Sequence, residues 1–362
     1  MAGPAPRPGI LDIQIYKGGD AKLPGFDNPI CLASNENALG ASPHAVEAFR
    51  ACAGHLHRYA DGAAFELRRA LAEHHGLDPD RIACGNGSDE LIGLLTKGYA
   101  GREDEVLFSE HGFAMYPIAT LAAGARPVTA KDAGLTASVD GFLEKLSDRT
   151  KVVFLANPNN PTGTYLPTSE VERLHAALPE NVLLVLDAAY AEYVSRNDYS
   201  AGLELASTAP NVVMTRTFSK IYGLAGLRVG WCYGPTEVID VIHRTRGPFN
   251  INSGGIAAAT AAVRDVAHLD KSRTHNDEWL PWFRDEVNAL GLEALPSIGN
   301  FILVRFPNGD GRDANAANAF LNSKGIIPRK VAGYGLPDCL RITIGLEHEM
   351  RATVEALREF VG

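Results

Sequence analysis

A chain of 362 residues with 46% hydrophobic and 8% aromatic content can bury a sizeable core and divide into more than one domain. Its formal net charge of −9 excludes nucleic acid or an anionic membrane as the principal partner, because both select for dense basic patches. No signal-peptide core and no apolar run near the ~20 residues of a membrane span occurs, so a soluble, cytoplasmic protein is expected. The five cysteines, Cys31, Cys52, Cys84, Cys232 and Cys339, are scattered and never spaced C-x-x-C, and they read as reduced thiols.

In chain order, the Pro/Gly-rich first nine residues read as a mobile arm. From about Ala45 to His268, apolar runs alternate with helix-sized segments: EVLFS from Glu105, RPVTA from Arg126, KVVFLA from Lys151, NVLLVLD from Asn181, NVVMTR from Asn211 and LRVGWCYG from Leu227. Such runs predict strands buried on both faces, and hence an α/β domain with a largely parallel sheet covered by helices. The rhythm is missing before residue 45 and after about Trp282, where NFILVRF and CLRITIG read as strands beside helical ANAANAFLNSKG and EHEMRATVEALREF. The predicted organisation is residues 1–45 as an N-terminal arm and part of a smaller α+β domain, 46–282 as the large domain, and 283–362 as the rest of the small one.

Open α/β sheets bind ligands at the carboxyl ends of their strands, so the residues that follow the apolar runs belong together. KVVFLA is followed by NPNNPTG, whose prolines fix the turn around Asn160; NVLLVL by Asp187 and, three residues on, Tyr190; NVVMTR by Thr217, Ser219 and Lys220. Upstream, CGNGSDE sets Gly85 and Gly87 before a helix beginning near Ser88. That turn either presents N–H groups to an anion or is an ordinary glycine turn capped by the Ser88 or Asp89 side chain. Taken singly, a lysine after a strand is commonly solvated and a strand-end aspartate commonly caps a turn. G-x-G-x-x-G, G-x-S-x-G and H-E-x-x-H are all absent, so dinucleotide, nucleophile-elbow and zinc-protease readings lose their basis. His74 and His75 read as the wet face and C-terminus of a helix, and no metal site is predicted.

The ordered set NPNNPTG, DAAY, SK and GLAGLRVG resembles the signature of the fold-type I, pyridoxal-phosphate-dependent class I/II aminotransferases. Further pieces, including LASNENALG, HRYADG, GNGSDE, FAMY, PFNIN and YGLPDCLRITIG, are similar to their histidinol-phosphate branch. The chain departs from that branch at Ala38, Ala60, Ala188 and Lys330.

The resemblance implies that Lys220 tethers the cofactor aldehyde and then carries the proton between Cα and C4′, and that Asp187 keeps the pyridine nitrogen protonated. It implies that Asn160 and Tyr190 donate to the 3′-oxygen and that Phe113 stacks on the ring. The phosphate would be held by the amides of Gly87, Ser88 and Asp89, the hydroxyls of Thr217 and Ser219, and Arg228. Tyr59 would reach the cofactor phosphate of a neighbouring subunit, which makes a homodimer the active unit. Arg341, Arg329 and Tyr16 would bind a substrate phosphate; the partners are then an amino donor and a 2-oxo acid. The implied reaction converts L-histidinol phosphate and 2-oxoglutarate to imidazole acetol phosphate and glutamate. An aromatic-amino-acid aminotransferase, an L-threonine-phosphate decarboxylase and a non-catalytic cofactor-binding regulator are the competing readings.

Overall fold

The computed structural model describes residues 3–307, 309 and 311–362. Thirteen strands occur among them: β1 (Ile30–Cys31), β2 (Ile82–Gly85), β3 (Glu105–Ser109), β4 (Arg126–Ala130), β5 (Thr150–Ala156), β6 (Leu183–Asp187), β7 (Val212–Thr217), β8 (Gly230–Tyr233), β9 (Glu293–Ala294), β10 (Phe301–Arg305), β11 (Ile326–Ile327), β12 (Arg329–Lys330) and β13 (Cys339–Thr343). The α-helices are α1 (Pro43–Ala51), α2 (Phe65–His75), α3 (Ser88–Tyr99), α4 (Met115–Ala123), α5 (Val139–Lys145), α6 (Thr168–Ala177), α7 (Leu203–Thr208), α8 (Thr236–Thr245), α9 (Ser253–Arg264), α10 (Val266–Ala289), α11 (Ala314–Ser323) and α12 (Glu347–Val361).

The main sheet has seven strands in the order β2-β8-β7-β6-β5-β3-β4. Its Val/Leu-rich centre is solid core: Val153, Leu184, Val185, Val212 and Val213 are fully buried, as helix cover on both faces requires. β4 differs from the expectation of two-sided burial. It is the sheet edge, with Arg126 and Thr129 exposed and Pro127 placed where a missing N–H breaks no central ladder.

Strand direction brings the chemistry to one edge. β8 runs antiparallel to β7, with Thr217 opposite Gly230, so the connection between them, which carries Lys220 and Arg228, turns at the carboxyl end of β7. β2 runs antiparallel to β8 with Gly85 opposite Gly230, which sets the start of α3 at the same place. The ends of β5 and β6 lie alongside, since both are parallel to β7.

A second, four-stranded sheet, β12-β13-β10-β9, packs with α11 and α12 around its own core of Ile302, Val304, Leu340, Ile342, Met350 and Leu357. The N-terminal segment belongs with it: β1 pairs in parallel with β11, and Leu32 lies in this second core. Helix α10 spans residue 282, the sequence-based boundary. Its Leu269 packs in the large core, whereas Trp279, Phe283 and Val287 pack in the small one. The N-terminal arm is tied down at Arg7, whose Nη2 donates to the Ala122 carbonyl in the last turn of α4 at 2.6 Å.

His75 does not lie on the wet face of α2 as the sequence suggested. Its ring stacks on the buried Trp231 at 5.2 Å, and burial, with repulsion from Arg216 and His74, holds its pKa down to about 3. The five cysteines are free thiols, three of them buried. Among the described residues no helix is long and apolar enough to cross a membrane, and no group of three or more His, Cys, Asp or Glu side chains could hold a metal ion.

Candidate active site

A cavity of about 250 Å³ opens where the carboxyl edge of the main sheet meets the small domain. It brings together Ser88, Asp89, Phe113, Asn160, Asp187, Tyr190, Thr217, Ser219, Lys220 and Arg228 from the large domain with Tyr16, Arg329 and Arg341 from the chain's two ends. Of the residues singled out from sequence, Gly87 lies just behind this lining and Tyr59 lies outside it. Tyr59 is 84% exposed and stacks on Phe249 with ring centroids 4.6 Å apart.

Lys220 is the centre of the arrangement. Its Nζ donates to the Ser34 carbonyl at 2.9 Å. Burial brings its pKa down to about 8; Arg341 and Arg228 add repulsion, while Asp89 and Glu36 oppose it. The group is therefore poised between ammonium and free amine near neutral pH.

Asp187, at the end of β6, is also buried, and burial lifts its carboxyl to about 6 against the pull of two hydrogen bonds. Tyr116 Oη donates to Oδ2 at 2.7 Å and Thr215 Oγ1 to Oδ1 at 3.2 Å. The sequence reading missed both donors. The signal for Tyr116 was present in FAMY, because it lies three residues beyond Phe113 and so on the same side of the helix start. The two rings indeed meet edge to face at 5.9 Å. Asn35 was missed as well: its Nδ2 donates to Tyr190 Oη at 2.9 Å and fixes that buried phenol. Tyr334, which also lines the cavity, was not singled out either.

At the other end of the cavity, α3 begins without a side-chain cap. Gly87 occupies the cap position at φ 84°, and neither Ser88 nor Asp89 caps the helix, so the plain-cap reading of this turn does not hold. The Asp89 carboxylate instead pairs with Arg228 Nη2 at 3.1 Å. Arg228 Nη1 donates to Ser219 Oγ at 3.2 Å, and its own backbone is left-handed at φ 55°, a conformation that costs on the order of 1 kcal/mol without glycine. A Cβ on Gly87 would come within 2.5 Å of Arg228 Nη2, and one on Gly230 within 2.4 Å of the Ser88 amide nitrogen. Two glycines thus keep open a cradle of N–H, hydroxyl and guanidinium donors, which is the donor set of a phosphate site.

On the small-domain side, Arg329 and Arg341 stand directly opposite each other across β12 and β13. Arg341 is 95% buried in relative area terms, being only 5% exposed, and burial lowers its pKa. It donates to the Asn160 side-chain oxygen and, through Nη2 at 2.6 Å, to the Ala33 carbonyl, while its buried Nε has no partner among the described residues. Engaging the oxygen of Asn160 leaves the amide NH₂ facing the cavity as a donor. Arg329 is half-buried and holds the N-terminal segment next to Tyr16 by donating to the Lys17 carbonyl at 2.6 Å.

A lysine buried at a strand-end cavity, a carboxylate at the base and a phosphate cradle at the side define a pyridoxal-phosphate-type aminotransferase site, and the family model for aminotransferase class I and II matches residues 27–357. The chain belongs to that family. Within it, the chain is 57% identical over its whole length to the histidinol-phosphate aminotransferase of Paramagnetospirillum magneticum, with the relative also fully covered. It is 56% identical to that of Rhodospirillum rubrum, over 99% of this chain and 97% of the relative. The crystal structure of histidinol-phosphate aminotransferase from Sinorhizobium meliloti in complex with pyridoxal-5′-phosphate superposes with a TM-score of 0.88 at 31% identity, covering 99% of this chain and 98% of the other.

Two outcomes check this geometry. Gly87→Ala should push Arg228 off the cradle and weaken binding of pyridoxal phosphate by about tenfold, read by absorbance titration of the cofactor-free protein. Asp187→Asn should raise the melting temperature of the cofactor-free protein at pH 8. The wild-type carboxyl has a folded pKa near 6, above its ordinary 3.8, so its contribution to stability is full below about pH 4 and is lost as pH rises through 6. The gain from the neutral amide is of order 2–3 kcal/mol at pH 8 and should disappear near pH 4.

Proposed function

We propose that this chain is a pyridoxal-phosphate-dependent transaminase that moves an amino group from L-histidinol phosphate to 2-oxoglutarate, giving imidazole acetol phosphate and L-glutamate in histidine biosynthesis. The observation that carries the substrate assignment is the register of Arg329 opposite Arg341, both lining the cavity of Lys220 together with Tyr16. Two guanidinium forks and a phenol match a dianionic phosphate, whereas a lone carboxylate needs one fork.

When bound, the cofactor supplies an aldehyde that condenses with amines and a protonated ring that withdraws the electron pair left at Cα. The chain's own residues do the rest. Asp187 holds the proton on the pyridine nitrogen, and Tyr116 and Thr215 hold Asp187. Asn160, oriented by Arg341, and Tyr190, oriented by Asn35, donate to the 3′-oxygen. Phe113 covers one ring face. The α3 amides of Gly87, Ser88 and Asp89, with Thr217, Ser219 and Arg228, hold the phosphate. Lys220 attaches the cofactor and, when freed, takes the proton from Cα; a pKa near 8 makes it a competent base without a partner carboxylate.

Tyr59 and Phe249 are exposed and lie outside the cavity lining of their own chain, which supports a homodimer in which Tyr59 serves the neighbouring site. A cytoplasmic location accords with the five free thiols. The aromatic-amino-acid reading would assign Arg341 to a carboxylate and give Arg329 no substrate role. The decarboxylase reading would require no oxo-acid acceptor.

In a single half-reaction followed by absorbance, L-histidinol phosphate should convert the holoenzyme to its pyridoxamine form far faster than L-phenylalanine or L-threonine phosphate does. Preference for phenylalanine would refute the assignment. Lys220→Ala should abolish both the lysine-linked absorbance band and steady turnover; unchanged turnover would remove the lysine from the mechanism.

A further inference from the structure

Three carboxylates line the cavity, and two are already engaged: Asp89 by Arg228, and Asp187 by Tyr116 and Thr215. Glu36 is the third. Its carboxylate has no hydrogen bond or ion pair among the described residues, although Lys220, Arg228, Arg329 and Arg341 border the same space. Glu36 is exposed and lines the cavity, yet its backbone is firmly held. Asn300 Nδ2 donates to the carbonyls of Asn35 and Glu36, both at 3.1 Å, the Asn35 amide donates to Thr343 Oγ1 at 3.0 Å, and Asn37 Nδ2 reaches Ser272 Oγ at 2.9 Å. A fixed backbone presents a free acceptor, which is the arrangement expected of a group whose partner arrives with the ligand.

The reading under Proposed function, on which this inference rests, gives the substrate three polar parts. The phosphate is matched by the two arginines and the amine by the Lys220 position. The imidazole N–H has no acceptor among those cations. The lining also carries the neutral hydroxyls of Tyr16, Ser34 and Tyr334, but Glu36 brings the one carboxylate without a partner among the described residues, and both ends of the Asn35 amide are taken by Tyr190 and Thr343. We infer that Glu36 accepts the imidazole N–H of the substrate and is a specificity-determining residue that separates an imidazole from a phenyl ring. The discrimination follows from charge: a carboxylate that welcomes a ring N–H must be desolvated without return by a phenyl edge.

The test uses the holoenzyme and compares Glu36→Ala and Glu36→Gln with wild type in stopped-flow half-reactions, which separate the apparent Kd from the rate of conversion. Glu36→Ala should raise the Kd for L-histidinol phosphate by about 10- to 100-fold with a much smaller change in the conversion rate, and Glu36→Gln should recover part of the loss. Competitive inhibition by phosphoethanolamine, which has the amine and phosphate but no ring, should weaken less than about twofold. Equal losses for both ligands, or an unchanged Kd for histidinol phosphate, would overturn the role of Glu36 while leaving the substrate assignment standing. A wild-type enzyme that prefers phenylalanine would overturn both.

Discussion

The concentration of positive charge around one enclosed space constrains everything else in this molecule. Lys220, Arg228, Arg329 and Arg341 border a single cavity in a chain whose overall charge is −9. Burial is the main reason the pKa values of Lys220 and Arg341 are depressed, and the neighbouring cations add to it: Arg341 and Arg228 act on Lys220, and Arg329 on Arg341. Asp89 offsets part of that charge by pairing with Arg228, and the remaining cations suit the cavity to anionic ligands, which is what the proposed function requires of it. Binding and the tuning of the lysine are thereby one electrostatic problem.

The sheet solves the placement problem. Reversing direction between β7 and β8 puts Lys220 and Arg228 on the connection at the carboxyl edge, and the second reversal from β8 to β2 delivers the start of α3 to the same edge. Rigid strands fix the positions, and the connections that leave them present the groups. The small domain then closes the cavity with an antiparallel pair whose register alone sets Arg329 against Arg341.

Much of this was legible in the residues. The Val/Leu runs gave the central strands to within a residue or two, since burial on both faces leaves no other pattern open. The motif order marked Lys220, Asp187, Asn160 and Arg228, and the structure brings all four to one cavity. What stayed hidden depends on tertiary contact. Thr215 acquires meaning only when β7 lies beside β6, and the spacing of Tyr116 from Phe113 gave it a side of the helix start but not Asp187 as its partner. His75 turned inward because Trp231, far along the chain, offers it a flat apolar face. The edge position of β4 was likewise invisible, apart from the proline that an edge tolerates.

The parallel pairing of β1 with β11 joins residues near the beginning of the chain to residues near its end. On the ribosome, the strands of the main sheet are therefore all synthesised before the partner of β1 exists, so the large domain can reach its native topology while the N-terminal segment waits. The wall of the cavity that holds Tyr16, Ser34 and Glu36 flanks β1 in the chain, so it lacks the support of that pairing until β11 has been made. The order of synthesis thus completes the scaffold's strands before the groups that close the active site, and a chain that ends ahead of β11 lacks the partner of β1 together with Arg329 and Arg341.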